Sequence, residues 1–541
     1  MDEHANLNAP NDLQTATEPV PPPPEETLRD ALARLDTPCR VTESGGRIRV
    51  APEEHGHGAF VPACTPENLG DASFRRDHRI RYAYLAGAMA NGIGSVEIVE
   101  TLARAGMLGF FGAAGLGLDR IERAIDRLGS NLGELPYGFN LIHSPTEPDL
   151  EAAVADLYVR RKVKRVEASA YLNLSLPLVR YRVHGIHRDR DGRIVTPNRV
   201  IAKASRVEVA TRFFSPPPRR HLEALVSRGE ITSEQAELAA RIPVAEDLTA
   251  EADSGGHTDN RPLIALLPTL LALRDRLQAQ HAYDRPLRVG AAGGIATPVA
   301  AAAAFAMGAA WILTGSIHQA CRESGSSDAV RRLLAEAEQA DVTMAPAADM
   351  FEMGVKVQVL KRGTMFPMRA LRLFELYRNH DSLESLPAAE RETLQKRWFR
   401  ASFEDIWAET RRFFETRDPA RIERAEADPR KKMALVFRWY LGQTSRWANR
   451  GEPSRQMDYQ VWCGPAMGAF NEWVRGSFLD GPENRGVSTV ALNILHGAAY
   501  LFRLNVLRQQ GVTIPPGLDR VEPRRPADLE QRRSFDEGNP S

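Results

Sequence analysis

Between Tyr82 and Ser316 the chain carries eight short apolar runs, most of them followed by an amphipathic helical pattern. They read YAYLAG, MLGFFG, YGFNLI, RVEASA, RVIAKAS, LTAEADSGG, LRVGAAGGI and AWILTGS. Continuous apolar strands that alternate with helices build a parallel sheet covered on both faces. Eight such units match a (β/α)8 TIM barrel, which typically takes about 250 residues. The rival is an open doubly wound sheet, whose nucleotide-binding form needs G-x-G-x-x-G at its first strand–helix turn. LAGAMANGIGS does not supply that pattern. The fold class is therefore α/β: a TIM barrel over residues 81–340, with a helical insertion after strand five and a helical C-terminal region.

The insertion, residues 206–245, contains PPPRRHLEALVSRGEITSEQAELAARI, a helical hairpin whose second helix Thr232 or Ser233 would cap. An insertion after a strand is expected on the top face of a barrel, over the active site. There Arg219 and Arg220 would meet a phosphopantetheine arm or an acidic carrier protein; an excursion without function fits the spacing equally well. Over residues 341–515 the strand signal fades and helical patterns dominate. Their tryptophans, Trp398, Trp407, Trp439, Trp447, Trp462 and Trp473, read as core rather than as ligand platforms. Residues 1–27, with VPPPPEE, read as a disordered Pro-rich tail, 28–80 as an N-terminal segment with short β-like stretches, and 516–541 as a flexible tail.

Lys plus Arg and Asp plus Glu both total 70, so the net charge is zero and no nucleic-acid partner is expected. The most apolar stretch, Val299 to Ile317, is alanine-rich and broken by Gly308, Thr314, Gly315 and Ser316. It reads as a buried helix and a strand, so no membrane partner is expected. The start, MDEHANLNAP, lacks the apolar centre of a signal peptide, which points to a cytoplasmic protein. Cys39, Cys64, Cys321 and Cys463 form no CxxC pair and read as reduced thiols. No metal site is expected, because His55 and His57 in HGHG have no carboxylate cluster beside them. The aromatic-rich helices could pair two copies of the chain as a homodimer.

Catalytic groups in a barrel belong at the C-terminal ends of its strands. In order, those ends offer Ala88, Met89 and Asn91; Gly112; Asn140 and His143; Glu167; Lys203 and Ser205. After strand six comes the turn Asp253, Ser254, Gly255, Gly256, His257, Thr258. Strands seven and eight end in Gly293-Gly294-Ile295 and Thr314-Gly315-Ser316. Glycines there let the main chain approach an anion, and barrels frequently hold a phosphate between these two strands. Two ordinary tight turns would need the same glycines.

A phosphate needs a molecule attached, and the rest of the mouth suits a planar cofactor. Ala88 and Met89 would let a ring lie against strand one. Asn140 and Lys203 would offer donors to the edge of FMN that gains negative charge on reduction. Lys203 alone could equally be a strand-end lysine reaching for solvent. His257, beside Asp253 and Asp259, is the candidate acid or base.

AGAMANGIGSVEIVETLARAGMLGFFG, PYGFNLIHSP, NRVIAKASR, EADSGGHTDNRP and VGAAGGIATPVAAAAAFAMGAAWILTGSIHQA closely resemble the PfaD-like enoyl reductases. These serve polyunsaturated-fatty-acid and trans-acyltransferase polyketide synthases and lie within the nitronate monooxygenase-like flavoproteins. The resemblance runs through APAADMFEMGVKVQVLKRGTMFPMRA and DYQVWCGPAMGAFNEWV and covers about residues 80–510. It implies an FMN-bearing barrel that takes a hydride from NADPH and delivers it to a 2-enoyl thioester on an acyl carrier protein. It places Ala88, Met89, Asn140 and Lys203 at the ring and ribityl chain. Asp253 and Thr314 lie in the two matching turns, and Gly255, Gly256, Gly293, Gly294, Gly315 and Ser316 surround the phosphate. His257 matches the family's GGH histidine. Nitronate oxidation on the same fold and a non-catalytic docking role are the competing readings.

Overall fold

The computed structural model describes residues 27–530, except 46, 53–56, 145–146 and 416. The expected Pro-rich tail up to residue 26 and the end of the chain beyond 530 lie outside them. Eight parallel strands close into a barrel in chain order. They are β1 (Tyr84–Ala86), β2 (Leu108–Phe111), β3 (Gly138–Ile142), β4 (Arg165–Ser169), β5 (Arg199–Ala204), β6 (Asp247–Glu251), β7 (Arg288–Ala292) and β8 (Ile312–Thr314). Pairing of Ile312 with Tyr84 closes the ring. The eight apolar runs are these eight strands, and they are almost wholly buried because helices cover their outer faces. Ser95, Ser175 and Thr297 N-cap three of those helices, each accepting from the third residue along.

The bottom of the barrel is sealed by the helix Ala72–His78, capped by Asp71. Its Phe74 stacks on Trp311 at 4.1 Å, and the indole N–H of Trp311 reaches Thr249 Oγ1 at 3.2 Å. Gly290 leaves room for that ring: a Cβ there would lie 2.1 Å from Trp311 Cε2. His78 Nε2 lies 2.8 Å from Asp247 Oδ2, and Arg288 Nε 2.7 Å from Asp247 Oδ1. All three are buried, and Asp247 accepts from both neighbours.

The hairpin lies between β5 and β6 but not where it was expected. The helix Val207–Phe214 begins only three residues after β5, and it carries the chain to the bottom before the hairpin starts. Ala245 N–H donates to Phe213 O and Val244 N–H to Ser215 O, which ties the hairpin's base beside the start of β6. Its helices, Arg219–Ser227 and Ser233–Ala239, pack against the helix Leu176–Val183. Thr232 caps the second with a reciprocal bond from Gln235. Arg219 spans to Glu223 on its own helix.

The C-terminal region contains two strands that the sequence pattern does not announce. Val342–Pro346 and Lys356–Leu360 form an antiparallel pair, and the two-residue strand Gly256–His257 adds to its other edge. Helices follow, Phe366–Asn379, Phe403–Glu415 and Pro429–Arg450, around a core of Phe351, Phe366, Phe399, Phe437 and Tyr440. Trp398, Trp407, Trp439, Trp447 and Trp462 pack on that core as expected. The helix Val487–Gln509 is apolar and long enough to cross a membrane, yet 78% of that stretch is buried in the fold.

A second compact unit gathers the described residues among 27–63 with 503–518. It holds the helix Leu28–Ala33 and a sheet in which Cys39–Ser44 pairs with both Arg47–Pro52 and Ala59–Val61. Arg503 donates to the carbonyls of Ala31 and Thr37 at 3.3 and 2.8 Å. All four cysteines are free thiols.

Candidate functional site

Register fixes which side chains enter the barrel. Asn140 on β3 pairs with Glu167 on β4, and Ile201 on β5 pairs with the same glutamate. Lys203 lies two residues past Ile201 and pairs with Thr249, while Glu251 lies two past Thr249. Side chains two apart share a face, so Asn140, Glu167, Lys203 and Glu251 all point inward at the C-terminal end.

Their contacts agree with that register. Glu167 is fully buried and accepts from Ala88 N–H at 2.9 Å, which ties β4 to the loop after β1. Burial pushes its carboxyl up to about 7 against the pull of Lys203 and the Ala88 N–H, and Glu251 adds to the rise. Lys203 Nζ lies 2.6 Å from Glu251 Oε1. Burial opposes the ammonium charge, but the two carboxylates outweigh it and hold the group above the ordinary lysine range. Asn140 Nδ2 donates to Glu167 O and Ser169 Oγ, both at 3.1 Å, so the donors expected to meet a cofactor edge are engaged within the barrel instead. The Met89 turn depends on Gly112, where a Cβ would lie 1.7 Å from Met89 O.

The turns after β6, β7 and β8 converge with a segment from the C-terminal region. Gly255 packs backbone to backbone on Cys463 and Gly464, and Gly464 N–H donates to Ser316 Oγ at 3.2 Å. Gly293, at φ +86°, packs on the main chain of Ala252 and Asp253. By contrast a Cβ on Gly256, Gly294 or Gly315 would meet nothing within 4 Å. These positions leave room for a phosphate beside the turns. Thr314 sits elsewhere: its hydroxyl lies 2.7 Å from Tyr84 OH in a buried network with His318. Asp253 accepts from Asn260 and from Gln358, both at 2.8 Å, and so braces the turn.

His257 is exposed on its two-residue strand, with Nε2 3.3 Å from Asp349 Oδ1. Partial burial opposes its charge, but Asp349 and then Glu251 win, and its pKa is raised. Asp259 does not join it. It takes Ser205 Oγ at 2.6 Å and both arms of Arg206, and Arg206 leads in holding its carboxyl down at about 2.

Glu251, Asp349, Gln358 and Gly464 are site residues that the sequence pattern did not single out. The first stood in the strand-six run itself, two residues before Asp253. The others lie in a region with helical patterning, and only the two unannounced strands carry them to the barrel. An FMN fits these residues. Open space at three glycines suits a phosphate, and the buried Glu167 Oε1 and Ser254 Oγ have no partner among the described residues. Among the described residues no cluster could hold a metal.

A family model described as nitronate monooxygenase matches residues 75–389. A second, the inserted helical domain of [acyl-carrier-protein] S-malonyltransferase, matches residues 380–459. The chain is 48% identical over 494 residues to a polyunsaturated fatty acid synthase polypeptide of a Thraustochytrium species, covering 89% of this chain and 33% of that one. It is 46% identical to the polyketide biosynthesis protein PksE of Bacillus subtilis, covering 81% of this chain and 57% of PksE. It therefore spans less than two thirds of either relative. The crystal structure of the enoyl reductase domain of MlnA, from the macrolactin biosynthesis cluster of Bacillus amyloliquefaciens, superposes with a TM-score of 0.78 at 40% identity. That match covers 82% of this chain and all of the domain.

Proposed function

The chain belongs to the nitronate monooxygenase family of oxidoreductases, and from that premise we propose an FMN-dependent enoyl reductase. Its substrate would be the α,β-double bond of carrier-bound enoyl thioesters in polyketide or polyunsaturated-fatty-acid synthesis, with NADPH as reductant. The observation that carries the reading is the match to the whole MlnA enoyl reductase domain, and the open glycine turns at the barrel mouth support it. The helical resemblance over residues 380–459 supports an acyl carrier protein as partner.

FMN, when bound, would carry a hydride from the nicotinamide to the β-carbon of the enoyl group. The main chain at Gly256, Gly294, Gly315 and Ser316 would hold its phosphate, with Gly255 and Gly293 setting the turns. Ala88, Met89 and Asn140 would bound the ring. Lys203 would supply a positive charge to a bound flavin that gains negative charge, a kind of preorganised stabilisation worth about 3–4 kcal/mol in a dry site. His257 stands at the rim with a raised proton affinity and would give the proton to the α-carbon. The main contribution of the pocket would be to orient the β-carbon at reacting distance, about 3–3.5 Å, from the hydride source.

The test is steady-state turnover on a crotonyl carrier protein: NADPH consumption should depend on the thioester, and mass spectrometry should find the saturated acyl group. The family model favours one second reading, nitronate oxidation with His257 as base. Oxygen uptake with a nitronate, and no thioester-dependent NADPH loss, would select it.

A further inference from the structure

The floor of the barrel mouth holds one cation between two carboxylates, and the geometry divides it unequally. Lys203 Nζ commits to Glu251 Oε1 at 2.6 Å. Glu167 keeps one bond, from Ala88 N–H at 2.9 Å. Its Oε1 reaches no donor among the described residues and lies against Gly87, 3.5 Å from where a Cβ would stand. Glu167 is wholly buried, whereas Glu251 is partly exposed and can share its charge with water. With all three groups ionised the floor would carry a net negative charge away from solvent, and a desolvated carboxylate with one backbone donor is poorly satisfied.

We propose that Glu167 is the proton-holding group of the site, and that its proton content follows the charge bound above Lys203. Ala88 N–H faces it from β1, Lys203 from β5 and Glu251 from β6. Asn140 on β3 is neutral and bonds its main-chain carbonyl. Beyond Glu251 the charge chain continues to His257 and Asp349 at the rim. Burial places the Glu167 carboxyl at about 7, so near neutral pH it stands between its two states. Negative charge arriving above Lys203 draws on the cation that otherwise steadies the Glu167 carboxylate. The proton affinity of Glu167 then rises and it takes a proton from solvent. The inference rests on the flavin reading of the site: the arriving charge is the electron pair that a reductant leaves on the cofactor, and Glu167 gains the accompanying proton.

Two measurements on the protein as purified test this. In infrared spectra with isotope-labelled glutamate, wild type should show a protonated carboxyl band that disappears as pH rises through neutrality. Glu167→Gln, which keeps an acceptor for Ala88 N–H, should lack it. During anaerobic dithionite reduction in weakly buffered indicator dye, wild type should take up more protons per flavin than Glu167→Gln, by as much as one. A wild-type spectrum without that band, or equal proton uptake in the two proteins, would overturn the proposal. Because dithionite needs no acyl substrate, protein that shows the linkage but reduces no enoyl thioester would retain this inference and lose the enoyl-reductase reading.

Discussion

His257 Nε2 lies 3.3 Å from Asp349 Oδ1, so the exposed histidine of the barrel mouth is held by a residue of the C-terminal region. The short strand Gly256–His257 pairs with Gln358 and Val357, which sets the imidazole on the same small sheet that delivers the aspartate. The C-terminal region is thereby part of the mouth.

Asp349→Asn should move the alkaline limb of the turnover profile to lower pH. The sign follows from the raised pKa: Asp349 favours imidazolium, so wild type keeps its proton donor charged to higher pH, and the variant gives it up sooner. A pH profile of kcat/KM reads this directly, with several-fold loss on the alkaline side and little on the acid side.

Gly315→Ala tests the cradle. Beyond its chain neighbours, no atom of the described residues lies within 4 Å of the added methyl, so the fold should tolerate it. A methyl in the space meant for a phosphate should weaken FMN about tenfold or more, a cost of about 1.4 kcal/mol. Equilibrium dialysis measures that, and thermal melting of the flavin-free protein should show an unchanged midpoint.

At the bottom of the barrel, Asp247→Asn should be destabilising by about 1–3 kcal/mol, because it takes one of two carboxylates from the buried Arg288 and leaves it Asp77 alone. Burial opposes the Asp247 charge, but Arg288 and His78 hold its carboxyl well below the ordinary range. The stabilisation is therefore present above the unfolded aspartate pKa of about 3.9 and is lost only as pH falls through the depressed native value. Urea denaturation at neutral and mildly acidic pH should give wild type the same advantage at both.

Arg219→Glu with Arg220→Glu should leave turnover on carrier-bound substrate within about twofold, a difference of about 0.4 kcal/mol. Both belong to a hairpin tied to the bottom of the barrel. A large rise in KM would restore the hairpin to the substrate path.

The barrel was legible because buried parallel strands leave continuous apolar runs, and the glycine turns because close main-chain approach demands that residue. The hairpin's side was not. Its spacing says only that it lies between β5 and β6, and telling top from bottom required seeing that Val207–Phe214 is the barrel helix. Asp349 and Gln358 were hidden because VTMAP and KVQVL are short strands set among long helices. Glu167 was visible as a strand-end residue, but its importance comes from burial and from losing Lys203 to Glu251, which are tertiary facts.

The central claim is tested most directly by mixing protein reduced anaerobically with one equivalent of NADPH against a crotonyl carrier protein, while following flavin absorbance. The account predicts that the oxidised spectrum returns within the turnover time and that one saturated acyl chain forms per flavin. A reduced spectrum that persists with every enoyl thioester, yet returns to yellow on admitting oxygen, would contradict it.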